Sequence, residues 1–222
     1  MPTAHLGYQV KFESVSINGT SDLEIRSLLD RQQFADPLGE AERAGISPAS
    51  WPLFGMVWPS ARMLAATMAL RQVDGRRILE LGCGLALASL VSHRRGADVI
   101  ASDVHPLTET FLLENLRLNA LPPMVYRTGD WHGSDASLGQ FDLIIGSDVL
   151  YERDQPAWLS AFIDRHSNDG VEVLIVDPKR GNHGHFNRLM AERGYDCSDI
   201  SMDGAQASGE AYRGRMLRYL RA

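Results

Sequence analysis

Short apolar segments alternate with helical segments through the middle of the chain, and this alternation restricts the possible folds more than any other feature. The predicted strands are Arg77–Leu81, Ala97–Ser102, Met124–Arg127, Phe141–Ser147 and Val171–Val176. The last two are largely apolar runs, as in strands that are buried on both faces. Strands that alternate with helices at this spacing form βαβ units, so the sequence predicts a parallel sheet covered by helices on both sides.

Two segments near the C-terminus complete this prediction. Gly194–Ile200 and Gly214–Leu220 supply two more strands, separated by a polar connection. The predicted fold class is therefore a Rossmann-like, doubly wound α/β sheet of about seven strands, mostly parallel with an antiparallel C-terminal strand. Ser60 is expected to cap the first helix of the unit.

The segment before the sheet has a different character. Loose alternation around Asn18-Gly19 predicts an N-terminal hairpin, because this dipeptide suits a tight turn with positive φ. The segment Arg31–Pro52 is rich in glycine and proline turns and is expected to wrap a surface. We therefore expect one structural domain, with a hairpin and lid-like extension over residues 1–52 and the main α/β unit over residues 53–222.

Composition excludes several classes of protein. The 222 residues are 44% hydrophobic and 23% charged, as in folded domains, and 22 basic against 28 acidic residues make nucleic acid an unexpected partner. The N-terminus lacks a signal-peptide pattern, and no segment approaches the roughly 18 apolar residues of a membrane span. Cys83 and Cys197 are too few for a disulfide framework or a thiolate zinc site. We expect a cytoplasmic protein without a membrane partner.

The turn Glu80-Leu81-Gly82-Cys83-Gly84 closes the first strand of the sheet and opens a helix. Gly82 and Gly84 lack a Cβ, so the backbone can turn sharply and a ligand can approach it closely. Asp103 ends the next strand, 21 residues after Gly82, where a carboxylate can accept hydrogen bonds from both hydroxyls of a ribose. The two features together predict a cofactor that contains a nucleoside.

Two details of the turn favour S-adenosylmethionine over NAD. A dinucleotide fingerprint needs glycine or alanine at the position that Leu87 occupies, where close contact between helix and strand is required. The carboxylate of Glu80 is poorly placed beside a pyrophosphate and well placed beside a cation. S-adenosylmethionine carries an ammonium and a sulfonium group and no phosphate. A nicotinamide-dependent oxidoreductase remains the alternative.

Three further residues are expected at the same crevice. Asp130-Trp131 follows the Met124–Arg127 strand, where the indole can stack on an adenine and the carboxylate can bind its exocyclic amine. An equally weighted alternative is that Trp131 is a core aromatic and Asp130 a turn residue. Ser147 ends its own strand at the same rim. No metal site is expected, because His183-Gly184-His185 has no third ligand nearby.

Four motifs resemble those of the class I, seven-β-strand methyltransferases, and within them the methyltransferase-16 group of protein-lysine methyltransferases. The motifs are Val57–Ala61, Glu80–Gly84, Asp130-Trp131 and Ser147–Tyr151. The resemblance implies that S-adenosylmethionine is bound within residues 53–222. It implies a cofactor site formed by Trp58, Gly82, Cys83, Gly84, Asp103, Trp131 and Ser147, and an acceptor site shaped by Asp148 and Tyr151. The segment Asp177–Arg180 differs from the animal members of the group and is more like bacterial relatives, and Arg31–Pro52 has no recognisable counterpart.

The expected chemistry is methyl transfer to a nitrogen. A lysine amine must lose its proton before it can attack, and a low-dielectric pocket favours its neutral form. Asp148 could orient this amine or take its proton, Tyr151 could shape the pocket, and an aromatic wall of Trp51, Phe54 and Trp58 could hold the incoming ammonium. The predicted function is an S-adenosylmethionine-dependent N-methyltransferase acting on a protein lysine. A small-molecule methyltransferase and a non-catalytic binding module remain alternatives, and the sequence does not address the oligomeric state.

Overall fold

The computed structural model describes residues 7–133, 138–207 and 209–221. Its strands are β1 (Val10–Val15), β2 (Leu23–Leu28), β3 (Arg77–Leu81), β4 (Asp98–Asp103), β5 (Val125–Thr128), β6 (Phe141–Ser147), β7 (Ser167–Asp177), β8 (Asp196–Ser201), β9 (Gly204–Ala205), β10 (Ala211–Tyr212) and β11 (Arg215–Leu220). Its α-helices are α1 (Glu40–Arg43), α2 (Pro59–Leu70), α3 (Leu87–Arg94), α4 (Thr108–Leu118), α5 (Gln155–Arg165) and α6 (His183–Glu192). A 3₁₀ turn spans Trp51–Gly55.

Seven of these strands form one sheet in the order β5-β4-β3-β6-β7-β11-β8. Strands β3 to β7 pair in parallel, and β11 pairs antiparallel with both β7 and β8. The predicted fold class is confirmed, including the antiparallel C-terminal strand. The strand order reverses between β3 and β6, and sheets of this type bind ligands at such a switch point, beyond the carboxyl ends of the strands.

Two hydrophobic cores cover the two faces of the sheet. Consecutive residues of a strand enter opposite cores, so Ile78 packs with one cluster and Leu79 with the other. The first core contains Leu64 of α2 and Phe111 of α4, and the second contains Phe162 of α5. This arrangement explains the continuous apolar runs in the central strands, because both of their faces are buried.

The N-terminal hairpin of β1 and β2 is confirmed, and it packs against α4. Two asparagines, one in α4 and one directly after it, hold the backbone of β2. Asn115 Oδ1 accepts from the N–H of Arg26 at 2.7 Å. Asn119 Oδ1 accepts from the N–H of Glu24 at 3.0 Å. The guanidinium of Arg26 lies 4.3 Å from the centre of the Phe111 ring. Buried Asn115 and half-buried Asn119 thus attach the hairpin to the α/β unit.

Two local features differ from the sequence analysis. Helix α2 begins at Pro59 after Trp58, so the predicted capping role of Ser60 is wrong. Ser60 lies inside the first turn, where its hydroxyl shares a hydrogen bond of 3.0 Å with that of Tyr212. The connection between β8 and β11 contains the short hairpin of β9 and β10, which the sequence did not predict. Within the described ranges, no helix has the length and apolar character needed to cross a membrane.

A buried carboxylate joins three segments on the side of the sheet opposite the carboxyl ends of its parallel strands. Glu172, on β7, pairs with Arg71 after α2, with Arg76 before β3 and with Arg218 on β11. Burial by itself raises the pKa of Glu172, but hydrogen bonds from the three guanidinium groups outweigh it and lower the pKa to about 2. Glu172 therefore stays ionised and holds these segments together.

Candidate active site

The glycine turn lies at the switch point of the sheet. Gly82, Gly84 and Ala86 have φ values of 54°, 51° and 57°, which turn the chain from β3 into α3. The N–H of Cys83 donates to the carbonyl of Ser102 at 3.0 Å and joins the turn to β4. Cys83 itself is buried, and this burial raises the pKa of its thiol. The turn is thus a rigid loop at the edge where this fold binds ligands.

Asp103 lies at the end of β4, as predicted, and its carboxylate holds the neighbouring loops. Oδ2 accepts from the N–H of Gly84 and Oδ1 from the N–H of His105, both at 2.9 Å. Burial raises the pKa of Asp103, although these N–H groups act in the opposite direction. Each carboxylate oxygen has a second lone pair, so Asp103 can accept further hydrogen bonds from a ligand.

Glu80 makes a contact that the sequence did not predict. Its Oε2 accepts from the backbone N–H of Ser89 at 2.8 Å and from the Ser89 hydroxyl, which connects β3 to the first turn of α3. Burial raises the pKa of Glu80 to about 7. Glu80 thus supports the helix that follows the glycine turn, and a direct contact with a cofactor stays a prediction.

Trp131 lies beside the glycine turn. A Cβ added to Gly82 would lie 3.5 Å from Cζ2 of Trp131 and 3.1 Å from Cγ1 of Val149. The indole is half-buried and packs against the second core. Asp130 is exposed, and its Oδ1 accepts from the N–H of His132 at 2.9 Å, as in an Asx turn. Trp131 is therefore at the predicted crevice, and Asp130 forms a turn beside it.

The aromatic wall predicted for an incoming ammonium is wrong for two of its three members. Trp51 is 1% exposed and Phe54 is 7% exposed, because they pack edge to face with each other. Phe54 also stacks on His105, with ring centres 3.7 Å apart, and burial lowers the pKa of His105 to about 3. Trp58 is half-buried, its Nε1 donates to the carbonyl of Leu53 at 2.8 Å, and it alone remains a candidate.

The 3₁₀ turn passes directly over Gly84. A Cβ added to Gly84 would lie 2.9 Å from the carbonyl oxygen of Phe54, a distance at which the backbone must shift. His105, which donates its N–H to Asp103, stacks on this same turn. His105 could not be recognised from the sequence, because a single histidine in this loop belongs to no motif. The extension and the glycine turn consequently form one packed unit.

Gly84→Ala should destabilise the protein by about 2–4 kcal/mol and weaken cofactor binding, because strain at positive φ adds to the clash with Phe54. Gly75→Ala is the matched control: Gly75 also has a positive φ, of 71°, but a Cβ there meets nothing within 4 Å. It should cost about 1 kcal/mol. Urea unfolding of both variants measures the difference, and equal losses would contradict the close approach of Phe54.

The predicted acceptor residues, Asp148 and Tyr151, follow the end of β6, next to Ser147 of the predicted cofactor site. Ser147 is the last residue of β6, and Asp148 follows with a φ of 55° while its N–H donates to the carbonyl of Val176 at 2.8 Å. The carboxylate of Asp148 is not free, because Arg180 Nε donates to Oδ1 and Nη2 to Oδ2, each at 2.9 Å. Tyr151 is 44% exposed, and partial burial raises the pKa of its hydroxyl.

The loop after β7 is attached to the loop after β6. Asn182 Nδ2 donates to the carbonyls of Leu150 and Glu152, at 2.9 Å each. Asp177 is fully buried, and its Oδ2 accepts from the N–H of Arg180 at 3.0 Å. Burial raises the pKa of Asp177, against the effect of that hydrogen bond. Among the described residues, no group of three or more histidine, cysteine or acidic side chains could hold a metal ion.

Residues 53–192 match the sequence profile of a family described as lysine methyltransferase. The chain belongs to this family. The family predicted from the four sequence motifs is thereby confirmed, and the match includes every candidate site residue from Trp58 to Tyr151.

Curated relatives agree with this assignment, and a solved structure has the same fold. The electron transfer flavoprotein beta subunit lysine methyltransferase of Mus musculus is 29% identical over 72% of the chain, and protein N-lysine methyltransferase METTL21A of Danio rerio is 32% identical over 56%. The chain spans about 62% of the length of each of these relatives. The structure of magnesium protoporphyrin IX methyltransferase from Synechocystis, with bound S-adenosylmethionine, has the same fold, at a TM-score of 0.57, 19% identity, and 73% and 78% coverage of the two chains.

Proposed function

We propose that this protein is an S-adenosylmethionine-dependent N-methyltransferase that modifies a lysine side chain of a protein. The observation that carries the proposal is the meeting of two sets of residues at one edge of the sheet. One set, at the ends of β3 and β4, is the glycine turn and Asp103, which hydrogen-bond to each other. The other, at the end of β6, is Asp148 and Tyr151. Membership of the lysine methyltransferase family supports this assignment.

The cofactor residues have distinct proposed roles. Asp103 accepts hydrogen bonds from the two ribose hydroxyls through the lone pairs that Gly84 and His105 leave free. The backbone of Gly82, Cys83 and Gly84 lets the cofactor approach closely. The remaining members of the proposed site surround these residues: Trp131 stacks on the adenine, Asp130 binds its exocyclic amine, and Trp58 and Ser147 line the rim.

The chemistry of the glycine turn fits this cofactor. Two buried carboxylates, of Glu80 and Asp103, lie on neighbouring strands beside the turn. Burial raises the pKa of both, and the charge of Asp103 raises the pKa of Glu80 further. Such a site disfavours a pyrophosphate and favours a cation. When bound, S-adenosylmethionine supplies an electrophilic methyl group on a sulfonium. Its positive charge supports the ionised form of Glu80, which otherwise binds a proton near pH 7.

The acceptor residues position the amine. Asp148 binds and orients the lysine ammonium as it enters, and Tyr151, whose side chain is 44% exposed, forms the outer wall of the entry path. The ammonium then gives up a proton, to Asp148 or to solvent water, and the lone pair of the neutral amine must come within about 3 Å of the methyl carbon. This division of roles needs no nucleophilic side chain of the protein.

The extension is a fixed wall of the site and part of one domain with residues 53–222. Trp51 is 1% exposed, so moving the segment as a lid would expose a packed aromatic cluster. Asn115 and Asn119 also hold the hairpin on α4. A cytoplasmic location belongs to the same proposal, and the free thiols of Cys83 and Cys197 are consistent with a reducing compartment.

Calorimetric titration with S-adenosylmethionine and, separately, NAD tests the proposed cofactor. We expect micromolar binding of S-adenosylmethionine and no binding of NAD. Binding of NAD alone would overturn the assignment. Binding of neither would favour a non-catalytic module.

Turnover is tested with a cell lysate and S-adenosylmethionine labelled on its methyl group. We expect the label in protein and, after acid hydrolysis, in methylated lysine. Label that appears only in the fraction below about 1 kDa would favour the small-molecule alternative. Protein denatured by heat before the assay serves as the control.

A further inference from the structure

The carboxylate that is proposed to meet the acceptor already has a cationic partner. Arg180 donates from Nε and Nη2 to the two oxygens of Asp148, each at 2.9 Å. A bidentate pair between a guanidinium and a carboxylate is among the strongest side-chain contacts in proteins. The protein itself therefore supplies a positive charge at the place where an acceptor ammonium would bind.

The two partners differ in how firmly they are held. The Asp148 side chain is 13% exposed, and its backbone N–H is fixed on the carbonyl of Val176 at the end of β7. The Arg180 side chain is 45% exposed. Apart from the pair with Asp148, the contacts that hold Arg180 are made by its backbone, whose N–H donates to buried Asp177 at 3.0 Å and whose carbonyl accepts from His183 Nδ1 at 2.8 Å. The guanidinium can consequently swing into solvent while Asp148 and both loops stay in place.

The neighbouring lysine does not pair with Asp148. Lys179 Nζ lies 3.3 Å from Asp203 Oδ1, so this cation is directed toward the connection between β8 and β9. Lys179 also has a φ of 64°, which reverses the chain between it and the arginine. If Arg180 leaves, Asp148 needs another cation, because a largely buried carboxylate without a partner is costly.

We propose that Arg180 is a specificity-determining residue, whose guanidinium occupies the binding position of the acceptor cation and must be displaced from Asp148 when the acceptor enters. This inference rests on the proposed function. A lysine ammonium can replace the guanidinium, since it brings the same charge and can donate to the same oxygens. A hydroxyl, a thiol or a neutral side chain cannot replace the guanidinium, so the pair selects cationic acceptors. Because these acceptors must first displace the guanidinium, the pair also lowers their affinity.

The test uses Arg180→Met and two small probes, so it does not need the identity of the natural acceptor. Nα-acetyl-lysine amide carries the ammonium, and Nα-acetyl-norleucine amide is its neutral analogue. Each is titrated by NMR into protein saturated with S-adenosylhomocysteine, which prevents turnover. Arg180→Met should bind the lysine probe about tenfold more tightly than the original protein does and should bind the norleucine probe equally.

Two variants show whether the gain acts through Asp148. Lys179→Met removes the same charge from the adjacent residue and should leave the binding of both probes unchanged. Arg180→Met combined with Asp148→Asn should lose the gain for the lysine probe. Equal or weaker binding of the lysine probe by Arg180→Met, including no binding by either protein, would overturn the proposal.

Failure of this inference is distinguishable from failure of the proposed function. Binding of S-adenosylhomocysteine is measured first for every variant, and it also reports that the variant is folded. Absence of this binding in the original protein would count against the methyltransferase itself. Normal binding of S-adenosylhomocysteine without a gain in Arg180→Met would refute only the role of Arg180.

Discussion

Replacement of Asp103 by alanine is expected to weaken S-adenosylmethionine binding by at least about 100-fold. Hydrogen bonds to a charged acceptor contribute about 1.5–3 kcal/mol each, and the variant loses two of them with the ribose. It also removes the acceptor for the N–H groups of Gly84 and His105, so the glycine turn loses its connection to β4. Calorimetric titration of the variant measures the change in dissociation constant.

Two further variants separate ribose binding from support of the turn. Asp98→Ala removes a carboxylate at the opposite end of β4, where the side chain is 70% exposed, and should leave the dissociation constant unchanged. Asp103→Asn keeps one oxygen as an acceptor and should lose about tenfold in affinity. An unchanged dissociation constant in Asp103→Ala would remove this residue from the cofactor site.

Replacement of Glu172 by glutamine should lower the free energy of unfolding by about 3–5 kcal/mol at pH 7, which is a large part of the stability of an ordinary domain. The variant leaves three guanidinium groups, of Arg71, Arg76 and Arg218, around a neutral amide. Urea unfolding measures the loss. Glu24→Gln, which changes an exposed glutamate on β2, is the control and should alter stability by less than about 0.5 kcal/mol.

The same residue makes stability depend on pH in a defined window. The pKa of Glu172 is about 2 in the folded protein, below the ordinary value of 4.5 for a glutamate, so the carboxylate stabilises the fold above pH 4.5. This contribution, about 3 kcal/mol, is lost as the pH falls from 4.5 toward 2, because the unfolded chain takes up the proton first. The difference between the original protein and Glu172→Gln should shrink over that range. A constant difference would contradict the proposed ion pairs.

The sheet could be predicted because strands that are buried on both faces have largely apolar sequences. Phe141–Ser147 was predicted with its observed bounds, since its apolar run has clear ends. Strand β7 begins at Ser167, four residues before the predicted start at Val171, and the polar residues Asn168 and Asp169 obscured this extension. The pairing of β6 with β7 shifts register between Phe141 and Leu143, an irregularity that apolar periodicity does not encode.

Some residues of the candidate site could likewise be predicted from the sequence, and others could not. The glycine turn and Asp103 could be predicted because strand ends fix where their side chains and backbone lie. The pair of Asp148 and Arg180 joins loops 32 residues apart, so it depends on how two loops fold toward each other. The burial of Trp51 could not be predicted, because the sequence does not distinguish an aromatic residue that faces a ligand from one that faces other aromatic rings.

The position of β11 between β7 and β8 has a consequence for how the chain avoids aggregation. Until β11 docks, β7 presents an unpaired edge, and its segment Val171–Val176 is apolar except for Glu172 and rich in β-branched residues. Strand β8 cannot protect this edge, because it joins the sheet only through β11. Molecules in which β11 is still undocked can therefore pair with one another through β7. Arg218 on β11 then pairs with Glu172 on β7. The docking of β11 therefore both covers the exposed edge of β7 and stabilises the completed sheet.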